Sequence, residues 1–328
     1  MKNIKLAYFG SPNFSADFLE KILLDKSLPI AVKFIFTQPD QPVGRKRILA
    51  PTSVKQIANK YKLRVFEFKN LNIENSLEIR SWKLEIPKLD LALVYAFGEL
   101  IPKEILKLPK YGFWNIHPSL LPKYRGPSPM ATPLINGDEK TGITIIKMDE
   151  EIDHGPIVAQ QSLTIKKTDK RPDLEKKLTN LAYGMFKKIL AGEPTKFFAT
   201  WDTPAEGVGR IPIGDKKFRN EPFIAQNHKQ STYTKKLTKQ DGFIEFENLK
   251  LRIENSPEKL YNLFRGLYPW PGIWTIIKSI QPTRLDEIKR LKITDLELVN
   301  GKLIIKKVQL EGKKEVDFET FNKAYKIF

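Results

Sequence analysis

The first 190 residues alternate short β-branched or apolar runs with segments whose apolar positions recur at helical spacing. This alternation is typical of an α/β fold, a mostly parallel sheet flanked by helices, because parallel strands need helical crossovers between them. Strands are expected at residues 4–9, 30–37, 63–66, 89–95, 113–117 and 142–148, and helices from residue 14 and at 52–60, 74–82 and 173–190. Ligands of such sheets bind beyond the carboxyl ends of the strands, so the residues that follow each strand carry the functional interest.

The helical pattern stops near residue 192, and prolines and glycines then recur without a core period. We interpret residues 193–231 as a linker between a domain at 1–192 and a second domain at 232–328. The second domain is predicted to be small and β-rich, with strands at 242–246, 274–277, 296–299 and 303–308. Asn300-Gly301, between the last two of these, is a strong hairpin signal.

Composition excludes several kinds of site. The chain has 328 residues, of which 41% are hydrophobic and 29% charged, as in folded globular proteins. It has no cysteine, which excludes disulfide scaffolds, thiol nucleophiles, thiolate zinc sites and iron–sulfur clusters. Only three histidines are present, His117, His154 and His228, so no metal centre is expected.

Charge and hydropathy bear on partners and location. The 56 basic residues exceed the 38 acidic ones, and the net charge of +18 favours a polyanionic partner, with nucleic acid the first candidate. A lysine-rich genome would give the same bias without such a partner. The amino-terminal apolar run is shorter than the ~7 to 15 residues of a signal-peptide core. The longest apolar stretch, near residues 89–97, is about half the ~20 residues that span a bilayer. A cytoplasmic protein without membrane contact is therefore expected.

The expected strand at 113–117 ends in Asn115-Ile116-His117, and Pro118 stops it. Strand side chains alternate, so Asn115 and His117 project from the same face. An amide beside an imidazole suits attack on a carbonyl, because the amide can hydrogen-bond a developing oxyanion while the imidazole relays a proton. Alternatively, His117 caps the strand and Asn115 bonds a loop backbone. The residues alone leave both readings open.

A second cluster, residues 148–156, packs acidic side chains into a loop bounded by Gly155 and Pro156. Asp153, if held close to His117, would raise the basicity of the imidazole and fix its orientation or a water molecule. The alternative is a solvated acidic turn, and chemistry alone does not separate Asp153 from Asp149, Glu150 and Glu151.

Together these segments resemble a known family, the 10-formyltetrahydrofolate-dependent formyltransferases. The resemblance rests on a compound signature with defined spacing, and on further matches at 9–14, 36–45, 95–98, 233–237, 269–272 and 312–314, so that it covers nearly the whole chain. The signature reads Asn115-x-His117-Pro118-Ser119-Leu120-Leu121-Pro122-x-x-Arg125-Gly126, followed later by Asp153-x-Gly155.

The resemblance is strongest to the tRNA-directed members of the family, and it implies both fold and reaction. The fold would be a Rossmann-like formyltransferase domain joined to a small β-barrel resembling an OB-fold. The reaction would move the formyl group of 10-formyltetrahydrofolate to the α-amine of methionine carried by initiator tRNA, for translation initiation. A folate co-substrate, a charged initiator tRNA, no metal and a monomeric enzyme are the corresponding expectations.

The resemblance also assigns roles to individual residues. Asn115 would stabilise the tetrahedral oxyanion, His117 would assist proton transfer, and Asp153 would position His117 and a water molecule. The segment that follows the strand would line the tetrahydrofolate site, through Ser119, Leu120, Leu121 and Pro122.

A basic cluster lies in the expected loop at 38–51, in the order Arg45, Lys46, Arg47. Taken alone, three consecutive basic residues are most simply a solvated charge cluster. Their position matches the tRNA-contacting loop of the family, which implies contacts with the phosphates of an acceptor stem.

Other functions of the same residues remain to be weighed. A nucleotide-sugar formyltransferase would share the logic of Asn115, His117 and Asp153, and so would a hydrolase that releases formate. A non-catalytic RNA-binding protein would not need that trio. The sequence departs from the tRNA-directed pattern at His154, where a small polar residue is usual, and at Ala131 and Thr132, where glutamine and arginine are usual. These departures bear on the substrate, not on formyl transfer.

Overall fold

A computed structural model describes residues 3–44, 47–67, 86–191, 223–278, 288–325 and 327. The chain forms two compact units. The first comprises Met1–Pro127, Thr141–Leu163 and Lys176–Tyr233, and the second comprises Ser128–Lys140, Thr164–Glu175 and Thr234–Phe328. The domain and linker boundaries expected from the sequence stay predictions, and most of the expected linker and the helix expected at 74–82 lie outside the described residues.

The helices and strands up to residue 190 are, in chain order, β1 Ile4–Gly10, α1 Asn13–Leu24, β2 Ile30–Thr37, β3 Gln41–Val43, β4 Ile48–Ala50, α2 Ser53–Lys60, β5 Arg64–Glu67, β6 Leu91–Tyr95, α3 Lys103–Leu106, β7 Phe113–His117, α4 Ala131–Asn136, β8 Lys140–Lys147, β9 Ile157–Thr164 and α5 Arg171–Leu190. The remaining elements are α6 Phe246–Asn255, α7 Pro257–Leu267, β10 Ile273–Lys278, β11 Ile288–Val299, β12 Lys302–Leu310, β13 Glu315–Asp317 and α8 Phe318–Tyr325.

The first unit is organised by a seven-stranded sheet of order β5-β2-β1-β6-β7-β8-β9. β1 pairs in parallel with β2 and β6, and β6 pairs in parallel with β7. β8 runs antiparallel to β7. The expected α/β class is confirmed. The strand order reverses between β1 and β6, and open sheets of this kind bind ligands at such a switch point, beyond the carboxyl strand ends.

Aromatic packing fixes the strand ends near that point. The Phe9 ring stacks on Phe36 with centroids 4.3 Å apart, and it meets Phe113 at 5.1 Å and Phe97 at 5.4 Å. All four side chains are buried in one hydrophobic cluster. This cluster therefore joins the carboxyl ends of β1 and β2 and the turn after β6 to the first residue of β7.

Two parts of the first unit differ from the sequence expectation. β9 was not expected. The loop expected at 38–51 contains an exposed two-stranded hairpin, in which β3 pairs antiparallel with β4. Among the described residues, no helix is long and apolar enough to cross a membrane.

The second unit contains the antiparallel sheet β10-β11-β12-β13, which confirms a separate β-structure after the first sheet. Asn300 and Gly301 have φ angles of 49° and 75° and connect β11 to β12 as the expected two-residue hairpin. The closure of this sheet into a barrel stays a prediction.

The strand expected at 242–246 is wrong. Phe243 makes only an isolated bridge to Trp274, and helix α6 begins at Phe246. The second unit is also less β-rich than expected, since α6, α7 and α8 pack their apolar residues into its core. A short apolar run such as 243–246 cannot be assigned to strand or helix by periodicity alone.

Candidate active site

Polar contacts tie three loops together at the carboxyl edge of the sheet. The Ser11 hydroxyl, just after β1, accepts a hydrogen bond from the backbone N–H of Gln38 after β2, at 3.2 Å. The same hydroxyl donates to the carbonyl of Phe97 after β6, also at 3.2 Å. The loops on either side of the switch point are therefore fixed before any ligand arrives.

His117 ends β7 and is buried. Its Nε2 lies 2.8 Å from the carbonyl oxygen of Tyr124. A carbonyl oxygen can only accept, so Nε2 carries a hydrogen and donates it. The other ring nitrogen, Nδ1, lies 3.4 Å from Oδ1 of Asp153. Nδ1 is therefore the nitrogen that faces the other polar side chains of the site.

The carboxylate of Asp153 contacts three neighbours, which are His117, Asn115 and Gly126. Its Oδ2 accepts the backbone N–H of Gly126 at 2.7 Å, and its Oδ1 accepts Nδ2 of Asn115 at 3.1 Å. Burial by itself would raise the pKa of the Asp153 carboxyl, but the nearby His117, the Gly126 N–H and the charge of Arg125 outweigh it and lower the pKa. The carboxylate is therefore ionised at neutral pH.

The structure thus brings together the three side chains that the sequence singled out as catalytic, Asn115, His117 and Asp153. Their catalytic roles stay predictions. The alternative of a solvated acidic turn describes Glu150 and Glu151 instead, which are exposed in the same loop.

Gly155 explains part of the signature spacing. A Cβ placed on Gly155 would lie 1.9 Å from the carbonyl oxygen of Lys147, at the end of β8. Real atoms do not approach so closely, so only glycine lets the loop fold back on β8 at this point. That close approach carries the chain around to present Asp153, two residues earlier, to His117.

The segment expected to line the folate site is tightly held. Ser119 and Leu121 are fully buried, and Leu120 is partly exposed. The Ser119 hydroxyl donates to the carbonyl of Lys123 at 2.6 Å, and Gln160 of β9 donates to the carbonyl of Leu121 at 2.9 Å.

The side chains of Ser119, Leu121 and the buried Pro122 therefore maintain the loop, and Leu120 is the one of the four that is partly open to a ligand. The assignment of this segment to folate stays a prediction.

Of the three basic residues expected to contact tRNA, Arg45 and Lys46 lie outside the described residues. Arg47 is exposed at the start of the return strand β4, with a left-handed φ of 51°. The hairpin also exposes apolar side chains at Ile48 and Leu49. The structure thus places Arg47 next to β4 of the exposed β3–β4 hairpin, which is separate from the seven-stranded sheet.

A group of residues that sequence reasoning missed surrounds Asp153 from the other side. Gln226 is buried and donates through Nε2 to the carbonyl oxygens of Asp153 and Gly155, at 2.9 and 2.8 Å. Its Oε1 accepts Nη2 of Arg125 at 2.7 Å. The sequence signal was the Arg125-Gly126 pair of the signature, to which no separate role was assigned.

His154 and His228 form a second unexpected feature. Their rings stack with centroids 4.0 Å apart and an interplanar angle of 8°. Nδ1 of His154 lies 2.7 Å from Asp149, and Nδ1 of His228 accepts Nη2 of Arg125 at 2.8 Å. His228 is exposed, yet it extends the polar network from Arg125 to the acidic loop.

Comparison with known proteins agrees with this geometry. The formyl transferase family matches residues 2–190. A methionyl-tRNA formyltransferase from Caldicellulosiruptor saccharolyticus is 33% identical over 98% of this chain and 97% of its own length. The chain belongs to the methionyl-tRNA formyltransferase family.

Another member of the methionyl-tRNA formyltransferase family, from Kosmotoga olearia, is 36% identical over 85% of this chain and 78% of its own length. Among solved structures, an N-formyltransferase from Helicobacter canadensis, in complex with folinic acid and dTDP-3-aminofucose, superposes with a TM-score of 0.54 at 18% identity. That match covers 93% of this chain and 94% of the other, and it supports the fold. As a member of this family, the chain is a formyl-transferring enzyme.

Proposed function

We propose that this enzyme transfers the formyl group of 10-formyltetrahydrofolate to the α-amino group of methionyl initiator tRNA, giving the formylated tRNA that starts translation. The observation that carries the proposal is the contact of Asn115, His117 and Asp153 at the carboxyl edge of the sheet. The family's co-substrate supplies an activated formyl carbon, and these side chains have the chemistry that its transfer to an amine needs.

Asn115 is suited to stabilise the charge that develops on the formyl oxygen. Its side-chain amide has two N–H donors, and Asp153 takes one of them, at 3.1 Å. The second remains for an oxyanion, in the manner of an oxyanion hole. The contact with Asp153 fixes the amide so that its nitrogen, not its oxygen, faces the reacting group.

His117 is suited to move the proton. A new C–N bond forms between the α-amine and the formyl carbon, and the bond to N10 of the folate breaks. In its neutral form, with Nε2 donating to Tyr124, the imidazole accepts the proton of the attacking amine at Nδ1 and returns it to the departing nitrogen. The ionised Asp153 stabilises the imidazolium that exists between the two transfers.

Charge and similarity support tRNA as the acceptor. The net charge of +18 and the basic cluster Arg45, Lys46 and Arg47 in the sequence suit a polyanion. The curated relatives with 33–36% identity carry the name methionyl-tRNA formyltransferase, and one of them matches this chain over nearly its full length. An amino-sugar acceptor would not need the basic cluster, and a non-catalytic RNA-binding protein would not need Asn115, His117 and Asp153.

The same proposal includes the folate-lining role of Ser119, Leu120, Leu121 and Pro122. We also propose that the enzyme acts as a monomer in the cytoplasm, where initiator tRNA is charged, and that it needs no metal, because a neutral amine is already a competent nucleophile.

The test offers one labelled donor to two acceptors. Radiolabelled 10-formyltetrahydrofolate is incubated with the purified enzyme, charged initiator tRNA and an amino-sugar nucleotide together, and label is counted in each product and in free formate. Label on the aminoacyl-tRNA alone is expected, and Asp153→Asn should abolish most of it. Label on the sugar, or only in formate, would overturn the proposal that tRNA is the acceptor. No label in any product would overturn formyl transfer itself.

A further inference from the structure

We propose that Gln226 and Arg125 are positioning residues for the formyl transfer: they hold the main chain of Asp153 so that its carboxylate faces His117 and Asn115. The inference rests on the proposed function and adds two residues to it. Neither side chain is placed to touch a substrate, because both are buried, with 5% and 2% of their surface exposed.

The first step of the argument is the backbone of Asp153. Its φ of 51° lies in the left-handed region, which aspartate adopts more readily than most non-glycine residues but still at a cost in free energy, so neighbours must enforce it. Gln226 supplies that enforcement. Both N–H bonds of its amide are used, one on the carbonyl of Asp153 and one on the carbonyl of Gly155.

The second step is the orientation of the Gln226 amide. If the amide were turned over, its oxygen would face two carbonyl oxygens and its NH₂ group would face a guanidinium. Arg125 prevents this because its Nη2 donates to Oε1 of Gln226 at 2.7 Å. The charge-assisted bond therefore selects the orientation that grips the Asp153 loop.

The third step is that these contacts close a ring. Arg125 precedes Gly126, whose N–H binds Oδ2 of Asp153, while Arg125 itself reaches the carbonyl of Asp153 through Gln226. The carboxylate and the main chain of one residue are thus held by neighbouring residues of a single segment. Tyr124 of that segment also fixes His117, so one segment sets the relative position of the imidazole and the carboxylate.

The residues 223–233 that deliver Gln226 are themselves anchored at both ends. Ile224 exchanges two backbone hydrogen bonds with Ile157 at the start of β9. At the other end, the carbonyl of Thr232 accepts the backbone N–H of Arg125 at 2.8 Å. Gln226 is therefore held between the loop of Asp153 and the segment of Arg125, and its hydrogen bonds join the two.

The test asks whether Gln226 acts through Asp153. Gln226→Leu removes every polar contact, whereas Gln226→Glu keeps the size and the acceptor for Arg125 and loses the two N–H donors. Each is made in the parent and in Asp153→Asn, and kcat and KM for both substrates are measured together with the thermal midpoint. Gln230→Leu, an exposed glutamine of the same segment, is the matched control.

In the parent, both Gln226 variants are expected to lower kcat by roughly 10-fold or more with each KM within about twofold, because a displaced catalytic group costs rate rather than binding. In the Asp153→Asn background the same changes should lower kcat by less than about twofold, since their target is already removed. Gln230→Leu should match the parent.

Equal losses in both backgrounds, or a change in KM alone, would overturn the positioning role while leaving the proposed function intact. An unchanged rate in Asp153→Asn would instead refute the proposed role of Asp153, and the positioning inference with it. If Gln226→Leu does not show a cooperative thermal transition, Gln226→Glu decides the question, because it preserves the volume and the pairing with Arg125.

Discussion

The imidazole of His117 donates from Nε2 to the carbonyl oxygen of Tyr124 at 2.8 Å, which leaves Nδ1 as the nitrogen that would exchange a proton in the proposed reaction. The tautomer is set by the backbone of a neighbouring loop rather than by the carboxylate. The Asp153 carboxylate lies beside Nδ1, on the other side of the ring, where it can stabilise the charged imidazolium.

Replacing the ring tests this arrangement. His117→Ala is expected to lower kcat for formyl transfer by roughly 10² or more, the usual scale of general acid–base catalysis, while folate binding stays largely intact. Single-turnover rates and equilibrium binding of the folate separate the two effects. A rate equal to that of the parent would remove His117 from the mechanism.

Gly155→Ala tests the close approach that turns the catalytic loop. The added Cβ would meet the Lys147 carbonyl, so the loop must shift, and we expect a loss of about 1–3 kcal/mol in the free energy of unfolding together with a lower kcat. Gly184→Ala in helix α5 is the control, since nothing lies within 4 Å of its added Cβ. That substitution should be neutral or stabilising by about 0.5–1 kcal/mol. The free energies of unfolding of both variants are measured by urea denaturation. Equal values for Gly155→Ala and Gly184→Ala would contradict the steric argument.

The stacked histidines predict a pH dependence of stability. Although His228 is exposed, partial desolvation by its neighbours lowers its pKa below the ordinary value, and the nearby His154 and Arg125 lower it further, while Glu151 and Asp149 partly oppose them. The unfolded chain therefore binds a proton at His228 more readily than the folded chain does. Stability is present in full above about pH 6.5 and is lost as pH falls through the lowered pKa.

The thermal midpoint of the parent, measured from pH 7.5 down to pH 5.5, should consequently fall more steeply than that of His228→Gln, which cannot take up this proton. All other titrating groups are common to the two proteins, so their difference reports His228. Parallel pH curves would show that the contact with Arg125 does not penalise the protonated ring.

The basic cluster Arg45, Lys46 and Arg47 is tested by the salt dependence of tRNA binding. Changing Arg45, Lys46 and Arg47 to glutamine should weaken binding of initiator tRNA and flatten the dependence of log K on log salt, because each lost phosphate contact removes about 0.7–0.9 from the slope. Lys26, Lys33 and Lys62, which are exposed in or before strands β2 and β5, provide a control with the same loss of charge. Identical salt slopes for the triple glutamine variant and the parent would rule out phosphate contacts by Arg45, Lys46 and Arg47.

Much of the fold follows from local pattern. β2 and β7 occupy the predicted residues, and the other predicted strands of the first sheet differ by one or two residues at their ends. Strand β9 was missed because its polar half, which includes Gln160, reads as exposed. Gln160 is in fact buried and satisfied by the carbonyl of Leu121 and the hydroxyl of Thr144, partners that lie far away in sequence.

The second unit was harder for a different reason. Helix α7 buries Leu260, Phe264 and Leu267, which recur at helical spacing, so a signal was present in the sequence. Only strands were nevertheless predicted for this domain. The strand expected at 242–246 failed because its apolar side chains lead directly into α6.

The site shows the same division between local and distant information. Asn115 and His117 share a strand face, which alternation alone predicts. Asp153 could be separated from Asp149 only by resemblance, and the structure assigns Asp149 to His154 instead. Gln226 was beyond sequence reasoning, because its three hydrogen-bond partners lie 71 to 101 residues away.

That separation has a consequence for a chain that is still being made. All seven strands of the first sheet, with Asn115, His117 and Asp153 on them or beside them, are synthesised before Gln226. Domains fold from the amino terminus as they emerge from the ribosome, so the sheet can assemble before the hydrogen bonds from Gln226 to the Asp153 loop can form. If Gln226 positions Asp153 as proposed, the enzyme reaches its full rate late in its own translation, after the segment that carries Gln226 has emerged and docked.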